Sequence, residues 1–439
     1  MVRHGTDNSL THSTLHAAPI QKAISNSPLP LIEIKLLNTQ LSPKREVWLL
    51  LTLAGVQFTH ILDFMIMMPL GPEFIRMFAI SDASFGLLVS AYTLAAGASG
   101  LLAATYLDKY DRKKLLLVLY SLFGLATLAC GLASSYQTLI TARVLAGAFG
   151  GVLAALTHTI VGDVIPFARR GRAMGVVMTS FSVSTVAGVP LGLYLAANFS
   201  WHMPFFAIAA MVALLVMGAY LTLPALGDHL HKNPDRSAFG AIMQVLADPH
   251  HRMAFLFSAL LMFAGFTVIP FITIYLQTNV GWPAQRIPLV YLCGGVVTLF
   301  TARLIGRLTD RLGKVLVFRW MATLVILPMM ATTLMAGLPV WAVLLVSVSF
   351  FACMSGRMIP GMAILTATAN PQLRGTFMAL NSAVQSAAMG SAAFVGGQII
   401  SRDANNLVQH YWVAALLGSV VSLMAVGVAG KLKLHGAQH

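Results

Sequence analysis

Apolar runs of about twenty residues recur along this chain, each long enough to cross roughly 30 Å of hydrocarbon as a helix. The sequence places twelve such spans, at 47–70, 85–107, 115–134, 138–162, 173–197, 204–223, 253–277, 287–308, 315–336, 341–367, 376–400 and 411–430. Lipid offers no partner for an unpaired backbone amide, so segments of this kind cross as helices. The expected fold class is therefore an all-α membrane protein with twelve transmembrane helices. Composition agrees: 57% of the 439 residues are hydrophobic and only 10% are charged. A soluble domain carries about 25% charged residues, which excludes an ordinary globular enzyme.

The net charge of +14 would suggest nucleic acid on a soluble protein. Here the position of the charges matters more than their sum. With the N-terminus inside, only Arg76, Arg286 and Arg402 fall in the outer loops, and most other Lys and Arg fall in inner segments. The positive-inside rule then puts both termini in the cytoplasm. Anionic lipid on that leaflet accounts for the basic excess, so membrane lipid is an expected partner and nucleic acid is not. The expected location is multi-pass in a plasma membrane, on the pattern of a bacterial inner membrane. Cys130, Cys293 and Cys353 all lie inside apolar runs and read as small buried hydrophobes. Neither a metal site nor a cofactor is expected. The chain shows no nucleophile with a base and no phosphate loop, so it does not read as an enzyme.

A short charged hinge at 104–114, Ala-Thr-Tyr-Leu-Asp-Lys-Tyr-Asp-Arg-Lys-Lys, has a near-copy at 306–314, Gly-Arg-Leu-Thr-Asp-Arg-Leu-Gly-Lys. A second echo follows, Arg170-Gly-Arg-Ala-Met174 against Arg374-Gly-Thr-Phe-Met378. Two unrelated motifs keeping nearly one offset indicate a tandem repeat. The expected organisation is a disordered cytoplasmic tail at 1–44, a six-helix bundle at 45–223, a cytoplasmic linker at 224–252, a second six-helix bundle at 253–430, and a short cytoplasmic tail at 431–439. Within the linker, 238–247 reads as a short amphipathic helix on the inner surface.

Asp63 is the only carboxylate well inside a span. An intramembrane carboxylate is expensive unless it faces a cavity or a partner, so a functional role is the default reading. Its rival is a structural ion pair near the outer interface. His60 and Gln57 precede it at intervals of three, on the same helical face. Arg143 on span four lies about five residues, ~7 Å, below the outer face, at nearly the depth of Asp63. An Asp63–Arg143 pair would lower the burial cost of each charge. The proton-coupling candidates are therefore Asp63, Arg143 and His60.

Candidates for a substrate cavity are Gln57 in the first half and Tyr275, Arg357, Asn381 and Gln385 in the second. Arg357 would suit an anionic group, or else is a structural arginine near the Gly356–Pro360 break. Gly188, Pro190 and Gly192 permit a bend and close packing in span five. Pro270 should kink span seven. Trp201 reads as an aromatic anchor at the outer boundary. The hinge residues Asp108, Lys109, Arg112 and Lys113, with Asp163 nearby and the second copy Asp310, Arg311 and Lys314, read as a charge-paired latch on the inner face.

These motifs resemble the major facilitator superfamily over about 45 to 430. The hinge is similar to that family's Gly-x-Leu-Ala-Asp-Arg-x-Gly-Arg-Lys signature: Asp108, Lys109, Arg112 and Lys113 match, while Ala104 and Asp111 replace the two glycines. The second copy is closer, with Gly306, Asp310, Arg311, Gly313 and Lys314. Arg143-Val-Leu-Ala-Gly147 resembles the helix-four motif of proton-coupled members. Ala187-Gly-Val-Pro-Leu-Gly192 resembles, incompletely, the helix-five motif of antiporters. With Trp201, the first half is similar to the sugar-efflux and drug:proton antiporter branch.

The resemblance implies two six-helix pseudo-repeat bundles rocking about a midplane site, a latch with Asp163 at the end of helix four, and a monomer. The function it implies is export of a small organic molecule in exchange for protons by alternating access. Two alternatives stay open: a proton symporter or facilitator importing a metabolite, and a non-transporting membrane sensor.

Overall fold

Span one begins where Pro43 opens a helix, α1 (Pro43–Ile66). The structure, a computed structural model, describes residues 43–223, 226, 238–370 and 372–433. The expected tail over 1–42, most of the linker and residues 434–439 lie outside the described residues.

Pro69 to Pro72 stops α1, and a short helix, α2 (Gly71–Phe78), follows. Ser81 then caps α3 (Asp82–Tyr106) by accepting from the Ser84 amide, satisfying one of the orphan donors of a helix start. Next come α4 (Arg112–Gly131) and α5 (Tyr136–Val164), which opens with a capping box between Ser135 and Thr138. α6 (Phe167–Val183) runs through a π turn at Ser184–Gly188 into α7 (Val189–Asn198). Pro190 has no amide to donate, and the wider turn absorbs the missing bond. This is the interruption that Gly188, Pro190 and Gly192 predict. α8 (Met203–Thr222) completes the first half.

The second half follows α9 (Ala238–Ala247), the helix expected in the linker. Its Val245 is buried in a cluster with Phe255, Phe318 and Phe377, so α9 packs into the protein through that face. α10 (Pro249–Phe266) breaks at a 3-10 turn containing Pro270 and resumes as α11 (Ile272–Thr278). α12 (Ile287–Leu312) is followed by α13 (Lys314–Leu324) and α14 (Ile326–Ala331), which divide span nine in two. α15 (Val340–Thr368), α16 (Arg374–Ile399) and α17 (Tyr411–Ala429) complete it. Between the last two, β1 (Ser401–Arg402) and β2 (Val408–Gln409) pair antiparallel as a small hairpin.

Eleven described helical segments are long and apolar enough to cross a membrane. α16 is the twelfth. It has the length, at 26 residues, but Asn381, Gln385, Gln398 and its serines dilute its apolar character. The result is an all-α membrane fold of two six-helix halves.

The halves meet along α3 and α16. At Gly86 an added methyl carbon would lie 2.6 Å from the Ala393 carbonyl, so the two backbones are in direct contact there. Gly97 approaches Ser386 and Ala383 further along. At the end of α3 remote from the hinge, Arg402 of the hairpin donates to Asp82 from Nε at 2.7 Å and from Nη2 at 3.0 Å. The contacts between α3 and α16 thus run along α3 from Asp82 past its middle to Gly97. A cavity of about 640 Å³ opens over that ion pair, with Arg76, Gln277 and Asn406 among its walls.

Trp201 corrects one expectation. It is buried, with edge-on contacts to Phe74, Phe78 and Phe205. It closes the core under α2 rather than anchoring the helix in a lipid interface, because the unexpected α2 covers it.

Candidate functional site

The site begins with a packing constraint. A methyl at Gly147 would strike the Tyr92 carbonyl, and one at Gly151 would strike the Ala96 carbonyl. Glycine at both positions lets α5 lie directly on the backbone of α3, as small residues do in membrane helix pairs. That approach sets the Tyr92 ring against the Arg143 side chain, with the guanidinium carbon 4.1 Å from the ring centroid.

Arg143 meets Asp63 there. Its Nη1 donates to Asp63 Oδ2 at 2.7 Å and to the Asp63 carbonyl at 3.3 Å. Thr127 on α4 donates to the other carboxylate oxygen at 3.2 Å. The Asp63 and Arg143 side chains are 0% and 1% exposed. Matching depth along two helices predicts this pair, and the structure brings the two residues together. Thr127 and Tyr92 were not foreseen: their spans carry no charge, and only helix rotation turns them inward. A buried pair of this kind gains little stability over apolar residues, but losing one partner costs about 3–5 kcal/mol. The fold therefore holds the two charges as a unit.

His60 sits one turn from Asp63, beside Gly150, with ring centroids 6.2 Å from Tyr92 and 6.1 Å from Phe123. Neither imidazole nitrogen has a hydrogen-bond partner, nor does Gln57 Oε1, Tyr92 OH or Arg143 Nε. Phe64, next to Asp63, stacks on Tyr92 at 5.5 Å and on Phe266 of the second half at 6.0 Å. The charge pair thus connects through Tyr92 and Phe64 to the contact between halves.

No hydrogen bond or ion pair among the described residues joins the second-half candidates to one another. Arg357 is buried, with Nε against Met354 Sδ at 3.1 Å and Nη1 unpartnered. None of the ion pairs among the described residues reaches it. Gln385 donates to Ser258 at 3.1 Å, and Asn381 is buried with its Oδ1 unpartnered. Tyr275 is placed away from a cavity role: it donates to the Thr333 carbonyl at 2.6 Å and packs on Tyr411. Its hydroxyl is spent inside the second half.

At the hinge, Arg112 is buried, donating to the Leu107 carbonyl and, through Nε, to Asp163 at 3.2 Å. Asp111, which stands where the signature has glycine, caps α4 through the Lys114 amide and also accepts from the Leu226 amide. Lys113 belongs to a different job from a charge latch: its Nζ donates to the Tyr220 carbonyl at 3.0 Å and caps the end of α8. Asp108 lies in the turn Leu107–Lys109, and its side chain falls outside the described residues. Lys109, Asp310 and Arg311 are exposed and Lys114 and Lys314 make no ion pair among the described residues. Of the two copies, only the first shows an ion pair among the described residues, Arg112–Asp163.

Two six-helix halves, the first of which buries a charge pair, fit a secondary transporter built from an internal repeat. The sequence model of the Major Facilitator Superfamily matches residues 53–430, and the chain belongs to that family. It is similar to the MFS-type transporter YtbD of Bacillus subtilis (strain 168), 24% identical over 342 residues, covering 76% of this chain and 84% of that one. Multidrug resistance protein 2 of the same organism is 22% identical over 264 residues, covering 58% and 66%. Among solved structures, a D-xylose-proton symporter aligns with a TM-score of 0.70 at 17% identity, covering 88% and 97%.

Proposed function

We infer that this chain exports a small organic molecule in exchange for protons, by alternating access between a bundle at 45–223 and one at 253–430. The observation that carries this reading is the Asp63–Arg143 pair, with neither side chain open to solvent. A carboxylate that far inside a membrane protein is the ordinary seat of a moving proton. Thr127 and Arg143 hydrogen-bond the carboxylate, so in this reading the proton exchanges against those two partners.

In this reading the basic loops face the cytoplasm of a plasma membrane. The Asp82–Arg402 contact then closes the outer face. A proton reaches Asp63 from outside, the halves rock, and substrate binds from inside as Asp63 gives the proton up. Gly188, Pro190 and Gly192 support the motion: Gly188 and Gly192 rest on Leu62 and Ile66 of α1, so the π turn moves with the Asp63 helix. The chain works as a monomer.

The substrate meets Arg357, whose lone buried cation favours an anionic or strongly polar group, with Gln57, Asn381 and Gln385 as further polar contacts. Likeness to a multidrug resistance protein favours export over import. The rival, a proton symporter bringing a metabolite inward, shares the fold and the pair. Flux in proteoliposomes under an imposed pH gradient separates them. Export predicts substrate moving against the proton flow, and substrate moving with it would establish the rival. A non-transporting sensor predicts no flux and a phenotype that survives Asp63→Asn.

A further inference from the structure

The cavity of about 640 Å³ over the Asp82–Arg402 pair takes its walls from both halves. The chain around α2 supplies Arg76 and Ile80, while α11, α16 and the hairpin supply Gln277, Gln398 and Asn406. Arg76, Gln398 and Asn406 are exposed, so the cavity is reached from solvent. Its volume falls within the roughly 300–1,000 Å³ of small-molecule sites.

The walls have a definite chemistry. Arg402 gives its donors to Asp82 and Asn406, so the ion pair forms a neutral floor. Arg76 is the charged wall that remains. It pairs with Glu73 one turn back, but its side chain is 73% exposed. Exposed pairs contribute little, so a ligand can draw the guanidinium away. The side-chain amides of Gln277 and Gln398 have no hydrogen-bond partner among the described residues. Ile75 and Ile80 add an apolar flank beside Arg76. A cation, two unspent amides and an apolar flank suit an anion with a short apolar body and a polar far end. Planar carboxylates match a guanidinium well.

We propose that this cavity binds a small amphipathic carboxylate, its anionic end on Arg76 and its polar end on Gln277 and Gln398, and that the bound molecule holds the two halves together on this face. The two sets of contacts lie on opposite halves, so the ligand keeps both only while Asp82 and Arg402 meet. A ligand that binds one arrangement better shifts the protein toward it. Where this face must open during transport, the carboxylate acts as a brake and not as cargo. The braking rests on the reading of alternating access; the binding does not.

The test measures binding of radiolabelled para-hydroxybenzoate to the purified full chain in lipid nanodiscs. The wild type binds it saturably, and its uncharged methyl ester competes poorly. Arg76→Gln, a change at an exposed position, weakens binding by at least roughly tenfold, the loss of a hydrogen bond between charged groups. Gly86→Ala drives α3 away from the Ala393 carbonyl of α16 without altering a wall residue, and weakens binding likewise. Absence of saturable binding, wild-type affinity in Arg76→Gln, or equal competition by the ester overturns the carboxylate site. Wild-type affinity in a folded Gly86→Ala whose halves have parted, as read by spin labels at Met77 and Asn405, overturns the bridging. Substrate flux that continues undiminished with the cavity saturated overturns the brake and the opening of this face, while the site itself stands.

Discussion

Arg402 binds Asp82 through two nitrogens and two oxygens although 320 residues separate them. Asp82 opens α3 in the first half, and Arg402 sits in the hairpin between the last two helices of the second. Bidentate arginine–carboxylate contacts are stronger than single ones and fix geometry. Asn406 holds the guanidinium from behind at 3.1 Å, so the hairpin presents the arginine ready to bind.

Breaking that contact should loosen the closed face. Asp82→Asn or Arg402→Gln is expected to cost the closed arrangement about 1.5–3 kcal/mol, the range for hydrogen bonds to charged groups. Spin labels placed on α2 and on the hairpin should then report a longer-distance population that the wild type lacks. Identical distance distributions in wild type and both variants would show that the Gly86 contact alone holds the face shut.

The Asp63–Arg143 unit predicts strong non-additivity. Arg143→Ala leaves a buried carboxylate without its cation and should destabilise by about 3–5 kcal/mol. Adding Asp63→Asn should recover much of that loss, because a neutral amide tolerates burial better than a lone charge. Thermal unfolding of the two single variants and the double in detergent gives the coupling directly. Additive effects would mean the two side chains do not depend on each other.

The glycines of α5 separate packing from propensity. Gly147→Ala and Gly151→Ala each drive a methyl into a carbonyl of α3, which cannot swing aside as a side chain would. Each should cost about 1–3 kcal/mol. Gly162 on the same helix meets nothing within 4 Å, so Gly162→Ala should be neutral or stabilising by about 0.5–1 kcal/mol. Equal effects at the three positions in unfolding experiments would refute the close approach of α3 and α5.

At the hinge, the two partners of one ion pair should not be equivalent. Arg112 is buried and also satisfies the Leu107 carbonyl, whereas Asp163 is 39% exposed. Arg112→Ala should therefore lower stability by more than 1 kcal/mol, while Asp163→Asn stays within about 1 kcal/mol, as exposed pairs do. Matching losses would mean that the pair acts only through its mutual charge.

Much of this was legible because helices convert sequence spacing into depth. Counting residues from a span end placed Asp63 and Arg143 level with each other, and Pro270 and Pro190 announced interruptions that follow from a missing amide. Rotation about the helix axis is not readable that way. Tyr92 and Thr127 join the pair only through the facing of α3 and α4, and for α3 the close approach at Gly147 and Gly151 sets that facing. Tyr275 departs from its expected cavity role because its hydroxyl donates to the Thr333 carbonyl, a partner that spacing along the chain does not reveal. Asp82–Arg402 was hidden because both residues read as ordinary loop-end charges. α2 was hidden because eight residues between two prolines and a cap carry too little periodicity to announce a helix.

The central claim is that Asp63 carries the coupling proton, and electrical measurement on liposomes addresses it most directly. Purified protein would be challenged with sugars, amino acids, organic anions and amphipathic drugs, and solid-supported-membrane currents recorded for wild type and Asp63→Asn at several pH values. The account predicts a substrate-dependent current in the wild type that shifts with pH and is absent in the variant. A current of the same size and pH dependence in folded Asp63→Asn would contradict it.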